Sequence, residues 1–206
     1  MQQFISSVRA SISSQNWFSA LFMALTMPDI CGALEYGSNI PVGTRYSRWF
    51  DNYLKTVYSP KPLSLDEFRI KVDRKNEWNT LTAQELLRLE TDLASQYEIY
   101  LLREQVVKFT SSDCYKFRCK SLHQGISTKD NGKKIMFSPP PLTGISIHKM
   151  NIKGIYFIDI SVFCEDMCQA VERWLIDTSN NTQIQQGLVS LMDLDSYAEF
   201  IHIIED

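Results

Sequence analysis

Arg118 and His123 are the two side chains whose types and spacing best suit chemistry on a phosphate group, with four residues between them in the segment RCKSLHQG. Arginine carries a permanent charge on a forked set of N–H donors, and histidine has an ordinary pKa close to neutrality. An arginine that holds a phosphate and a histidine that moves a proton suit metal-independent cleavage of a phosphodiester. The plainer alternative is a surface arginine together with a histidine that complements the C-terminal end of a helix dipole.

A short helix at 112–124 is predicted to position both residues. The side-chain oxygens at 111–113 can accept hydrogen bonds from the free N–H groups of a helix start, and Gly125 is typical of a left-handed helix stop. Five residues at about 100° per residue place Arg118 and His123 about 140° apart, so they are not stacked neighbours. The long arginine side chain can still reach round the helix, which lets both groups face one phosphate.

Basic residues cluster around this motif although the net charge of the chain is −3. The only acidic residue at 116–134 is Asp130, and the basic ones are Lys116, Arg118, Lys120, Lys129, Lys133 and Lys134. A local excess of positive charge is what an anion site requires, and it makes Lys120 a supporting residue. The alternative is a solvated charged loop. The acidic total does not favour a protein that wraps long stretches of nucleic acid.

The Arg-x4-His spacing near the end of a helix resembles the signature of the HEPN superfamily of all-α ribonucleases and nucleotide-binding proteins. The strings SSDCYKF and RCKSLHQG, with LTMPDICGALE, GTRYSRWFDNYL and GIYFIDISVFCEDMCQAVERWL, are similar to a bacterial branch of that superfamily. The similarity covers roughly residues 17–58 and 109–176. One position departs from the pattern, because ribonuclease members often have a polar residue after the arginine and this chain has Cys119.

The resemblance implies an endoribonuclease without metal or cofactor, in which Arg118 stabilises charge on the scissile phosphate and His123 acts as general base or acid. It also implies a homodimer that brings two Arg/His pairs together, since one histidine would otherwise serve two proton transfers. A toxin–antitoxin or antiviral-defence role follows, with an antitoxin or regulatory protein as a further partner. Two alternatives are a non-catalytic module that binds RNA, a nucleotide or a protein, and a scaffold in which Arg118 and His123 only tie helices together.

The resemblance further makes the helix predicted at 16–36 a neighbour of the motif helix. An inward carboxylate on that helix, Asp29 or Glu35, can then orient the arginine or the histidine. A buried carboxylate needs such a partner because an unpaired charge is costly away from water. The alternative for Asp29 is that it caps the half-helix after Pro28.

Apolar periodicity predicts a mainly helical chain, with helices at 2–14, 16–36 (kinked or broken at Pro28), 44–58, 65–74, 82–108, 112–124, from Ser161 as cap, and within 182–204. A turn-rich basic loop is expected at 125–141 and a small β-hairpin around 142–160, with strands at 145–147 and 155–160. We expect residues 1–206 to form a single HEPN-like helical bundle. Its core helices would be those at 16–36, 44–58, 82–108 and 112–124.

The five cysteines show no paired spacing, which favours reduced thiols in a cytoplasmic protein. Cys119 and His123 have the i, i+4 spacing seen in zinc sites, but no fourth ligand is apparent nearby, so no metal site is predicted. The apolar run at 17–25 is far shorter than the ~20 residues that span a bilayer, and it favours a buried helix. His148 and His202 have no recognisable partners.

Overall fold

The computed structural model describes residues 1–73, 83–106, 108–124, 129–130, 133–142 and 146–191. Within these ranges the chain is mainly helical, as predicted. The helices are α1 (Gln2–Ser13), α2 (Trp17–Tyr36), α3 (Val42–Tyr53), α4 (Lys55–Tyr58), α5 (Leu65–Asp73), α6 (Ala83–Val106), α7 (Ser111–Gln124), α8 (Ile160–Asp177) and α9 (Thr182–Val189). The strands are β1 (Lys129–Asp130), β2 (Lys133–Ser138), β3 (Met150–Ile152) and β4 (Ile155–Asp159). The predicted stop at Gly125 and the predicted helix beyond residue 191, with His202, lie outside the described residues.

The central element is α2, which contacts α1, α3, α7, α8 and α9. Its length and hydropathy would also suffice to cross a membrane, but the same apolar composition suits a helix with neighbours on several sides. Of the kink or break predicted at Pro28, the break is wrong, because α2 continues through Pro28 to Tyr36. Burial of Pro28 in the core offsets the backbone hydrogen bond that a proline cannot make.

The composition of the bundle differs from the prediction in one helix. Residues 83–106 do form α6, but this helix contacts α5 and the loop before it: the Tyr100 hydroxyl accepts from the Leu63 N–H at 2.8 Å, and the Tyr97 hydroxyl donates to the Leu63 carbonyl at 2.9 Å. Phe68 stacks on Tyr100 with ring centroids 5.0 Å apart. Helix α2 instead contacts α1 and α8, besides α3 and α7. Among the described side chains, aromatic rings of α5 and α6 pack against each other.

A small mixed sheet with the strand order β1-β2-β4-β3 packs beside the helices. The β3–β4 hairpin lies where one was expected, but residues 146–148 are not a strand, and the loop predicted at 125–141 contains β1 and β2. Strand β2 pairs parallel to β4, from Lys134 beside Ile155 to Ser138 beside Asp159. Local periodicity cannot show this pairing, because the two strands are brought together by contacts distant in the chain.

Helix α8 begins one residue before the predicted cap. Asp159, the last residue of β4, caps it: Oδ1 accepts from the N–H groups of Ser161 and Val162 at 2.8 and 3.3 Å. Ser161 is therefore inside the helix, where its hydroxyl donates to the same carboxylate. The helix predicted at 44–58 is likewise divided at Leu54 into α3 and α4.

One apolar cluster joins the helices and the sheet. Its largest fully buried side chains come from α3, α4, α8, β4 and the segment before α7, and they are Trp49, Phe50, Tyr46, Tyr58, Trp174, Phe163, Tyr156 and Phe109. Close packing between α2 and α3 depends on Gly32, because a Cβ there would lie 2.9 Å from the Arg45 carbonyl oxygen.

We therefore expect Gly32→Ala to destabilise the protein by about 1–3 kcal/mol, because the added methyl group meets backbone that can move only with α3. Alanine for glycine in a helix interior ordinarily stabilises by roughly 1 kcal/mol. Gly187→Ala is the matched control, since its Cβ would meet only the flexible tip of the Leu34 side chain. Chemical denaturation of both variants measures the difference, and a Gly32→Ala protein as stable as wild type would contradict the packing argument.

Candidate functional site

A single carboxylate binds two arginines beside the motif helix. Asp29 Oδ2 on α2 lies 3.0 Å from Arg118 Nη2 on α7, while Oδ1 lies 2.9 Å from Arg45 Nε and 2.8 Å from Arg45 Nη2 on α3. The three side chains are only 13–18% exposed. We call this group the Arg118–Asp29–Arg45 cluster. Two guanidinium groups and one carboxylate leave it with a net charge of +1.

Local backbone structure holds Arg45 in this position. The Arg45 Nη1 group also donates to the carbonyls of Ser38 and Ile40, both at 3.3 Å, in the turn before α3. Gly32 lies one helical turn after Asp29 and allows the backbone of α3 to approach α2 at this level. The cluster is therefore built where α2, α3 and α7 meet.

Arg118 is only partly satisfied by the fold. Its Nη2 group donates to Asp29, whereas its Nε is buried and has no hydrogen-bond partner in the described part of the chain. A buried donor without a partner costs about 1–3 kcal/mol. The Asp29 bond fixes the direction of the guanidinium, and this guanidinium carries positive charge that one shared carboxylate does not fully balance.

Cys114 lies in the core on the inner face of α7. The Cys114 thiol lies 3.2 Å from the Tyr46 hydroxyl, and burial raises the pKa of Cys114 to about 12. Cys119 is partly exposed beside Tyr115, whose pKa is raised by the hydrogen bond with Cys119. Among the described residues no group of three His, Cys, Asp or Glu side chains is arranged to hold a metal ion.

The other predicted site residues divide between two regions. His123 lies in the last turn of α7, and its side chain is outside the described residues; Lys120 is partly buried on the same helix. Asp29 contacts Arg118 as just described. Glu35, in contrast, accepts a hydrogen bond from the Trp174 indole N–H at 2.9 Å, and so it contacts α8. The arginine bonds to Asp29 instead, and the orienting role expected for Glu35 stays a prediction, since the His123 side chain lies outside the described residues.

A second polar group surrounds His148, for which the sequence showed no partner. His148 Nδ1 accepts the Asp159 backbone N–H at 3.2 Å, and the buried Nε2 lies 3.9 Å from Asp166 Oδ2. Asp166 accepts a hydrogen bond from Tyr58 at 2.8 Å. Burial, helped by the charge of Lys149 and opposed by Asp166 and Asp159, lowers the pKa of His148. These partners come from α4, β4 and α8, which is why no local pattern could reveal them.

No protein-family profile, curated protein or solved structure shows a significant match to this chain. The similarity to the HEPN superfamily therefore rests on the quoted motifs. The structural feature that suggests a function is the Arg118–Asp29–Arg45 cluster, which includes the arginine of the motif helix.

Replacing the shared carboxylate tests the cluster directly. We expect Asp29→Asn to destabilise the protein by about 1.5–3 kcal/mol, since two part-buried guanidiniums would lose their charged acceptor and repel each other. Glu172→Gln is the control: it removes one of the two carboxylates bound to Arg9, at side chains 37–38% exposed, and should cost under about 1 kcal/mol. Equal effects in urea denaturation would show that the cluster contributes no more than a surface ion pair.

The His148 environment predicts a pH dependence of stability. Because the folded pKa is below the unfolded value of ~6.5, the unfolded chain takes up the proton first, and stability falls as the pH decreases from ~6.5 toward the folded pKa. We expect the free energy of unfolding of His148→Gln to change less between about pH 7 and 5 than that of wild type. The lowered pKa values of Asp159 and Glu165 affect stability only at lower pH. The loss of stability below ~pH 4 should therefore persist in wild type and in His148→Gln. If His148→Gln leaves the slope of unfolding free energy against pH unchanged between pH 7 and 5, His148 is not the cause of that slope.

Proposed function

We propose that this protein is a metal-independent endoribonuclease of HEPN type that cleaves RNA with Arg118 and His123. The observation that carries the proposal is the net positive Arg118–Asp29–Arg45 cluster, in which a carboxylate orients the motif arginine without cancelling the charge of both guanidiniums. A fixed guanidinium in a part-buried setting stabilises an anion more strongly than one in bulk water, because the lower effective dielectric strengthens its field.

The proposed reaction is an internal transesterification. The ribose 2′-oxygen attacks phosphorus, the bond from phosphorus to the leaving 5′-oxygen breaks, and the products are a 2′,3′-cyclic phosphate and a 5′-hydroxyl end. His123 takes the 2′-hydroxyl proton, and an imidazolium returns a proton to the 5′-oxygen. Arg118 stabilises the charge that develops on the phosphate oxygens. Nothing is oxidised or reduced, and no co-reactant is consumed.

The two proton transfers support a homodimer as part of the proposal. One histidine cannot act as base and acid at the same instant, whereas a two-fold axis would bring a second His123 to the same phosphate. The proposed setting is the cytoplasm, in a toxin–antitoxin or antiviral-defence role with RNA as substrate. An antitoxin or other regulatory protein would restrain such an activity.

A second candidate is a module that binds RNA or a nucleotide without cleaving it. The favouring observation is that Arg118 is 16% exposed and already ties α7 to α2 through Asp29, which is also what a purely positioning arginine would do. Cys119, in place of the polar residue of ribonuclease members, points the same way. In this case the cluster would still attract phosphate, but His123 would transfer no proton.

Cleavage assays on total RNA separate the two candidates. We expect the purified protein to cleave RNA equally with and without EDTA, and His123→Ala to lower the rate at least 100-fold because proton transfer is lost. Arg118→Lys should be nearly as damaging, since a point charge cannot reproduce the planar fork that contacts phosphate oxygens. RNA that is bound but not cleaved by wild-type protein would establish the binding module instead.

Arg173→Lys is the matched control for the arginine, because Arg173 is exposed and donates to the Tyr53 carbonyl far along the chain from the motif. Its cleavage rate should equal that of wild type. Thermal melts on the same preparations separate chemistry from folding. Activity losses that merely follow a lowered Tm in His123→Ala and Arg118→Lys would defeat the catalytic assignment.

A further inference from the structure

An aromatic cavity of about 450 Å³ lies at the C-terminal half of α7. We call it the aromatic pocket. Its walls come from the start of α2, from α7 and from β2, and they include Trp17, Phe18, Phe22, Phe117, Phe137 and Ser121. Phe18 is 76% exposed and meets Phe22 edge to face, with ring centroids 6.1 Å apart. The Phe18 ring is thus uncovered beside a mostly apolar cavity, the kind of concave surface at which ligands bind.

The aromatic pocket and the Arg118–Asp29–Arg45 cluster share the same two helices. On α7, Phe117 adjoins Arg118 in sequence, and Ser121 lies one turn further on, about 4.5 Å along the axis. On α2, Phe22 lies seven residues from Asp29, about 10 Å along the axis. A positively charged cluster and an apolar pocket thus draw on neighbouring segments of the same two helices.

We propose that the aromatic pocket binds the base of the nucleotide adjoining the phosphate held at Arg118, an inference that rests on the proposed function and specifies its substrate as single-stranded RNA with an unpaired base. Bases of single-stranded RNA are commonly recognised by stacking on aromatic side chains. The exposed ring of Phe18 offers such a face, and the Ser121 hydroxyl can donate to or accept from a base edge. A hydrocarbon ligand would use the rings but not the neighbouring positive charge.

Stacking of one base on an aromatic ring contributes roughly 1–3 kcal/mol, which corresponds to about a 5- to 150-fold change in affinity. The pocket would therefore add affinity and fix which phosphate of the RNA lies at Arg118, while the Arg118–Asp29–Arg45 cluster supplies the charge for that phosphate. Because every base has a flat face, we expect broad rather than strict sequence preference.

Ligand-observed saturation-transfer NMR with adenosine and uridine tests the pocket by itself, because nucleosides carry no phosphate and do not depend on Arg118. We expect transfer to both nucleosides in wild type and in Ile176→Ala, a control that removes a residue 72% exposed on α8. Phe18→Ala should reduce the signal strongly without unfolding, since that ring is mostly exposed. Ser121→Phe should abolish it by filling the cavity. Dodecanoate, a hydrocarbon chain with a carboxylate, is the probe for the alternative occupant, a lipid-like ligand.

A 2′-O-methyl RNA hexamer, which cannot be cleaved by 2′-hydroxyl attack, gives the affinity by fluorescence anisotropy. Its Kd should rise about 5- to 150-fold in Phe18→Ala and stay unchanged in Ile176→Ala. The pocket proposal is overturned if nucleosides give no transfer, if only dodecanoate binds, or if Phe18→Ala leaves the hexamer Kd unchanged. Nucleoside binding by a protein that cleaves no RNA would instead defeat the proposed ribonuclease and leave the base pocket standing.

Discussion

The Asp29 carboxylate is the interaction on which the rest of the site depends. It contacts both α3 and α7 from α2, through Arg45 and Arg118. Bringing three charged side chains to 13–18% exposure removes much of their hydration, and the shared carboxylate compensates for part of that loss. This shared bond fixes the direction of Arg118 and adds to the core packing that holds α7 on the bundle.

Helix α7 contributes residues to two different surfaces, one apolar and one charged. Its inward side carries Cys114 and Phe117 into the core and the aromatic pocket, while Arg118 meets the carboxylate on α2. The last turn carries His123. A ligand with a negative group and a flat apolar group can use both surfaces at once, and a nucleotide is such a ligand. The chemistry proposed for the motif and the pocket proposed for the base therefore depend on the same helix placement.

The sequence predicted most helices closely because their apolar spacing is local: α1, α2, α5, α6 and α7 begin and end within two residues of expectation. It also singled out Asp29 as a carboxylate that could orient the arginine. What it could not show depends on distant contacts. The pairing of β2 with β4, the displacement of α6 from the bundle, Arg45 as the second partner of Asp29, and the partners of His148 all join segments far apart in the chain. Glu35 shows the same limit, since its spacing of six residues from Asp29 is visible in the sequence, but the helix that its side chain contacts is not.

The chemical nature of the RNA ends tests the central claim most directly, because it reports the mechanism and not only the loss of substrate. A defined single-stranded RNA is incubated with the protein in EDTA, and the fragments are identified by mass spectrometry. We expect 2′,3′-cyclic phosphate and 5′-hydroxyl ends, formed by attack of the neighbouring 2′-oxygen. Fragments with 3′-hydroxyl and 5′-phosphate ends would contradict it, since they require attack by water from outside the RNA.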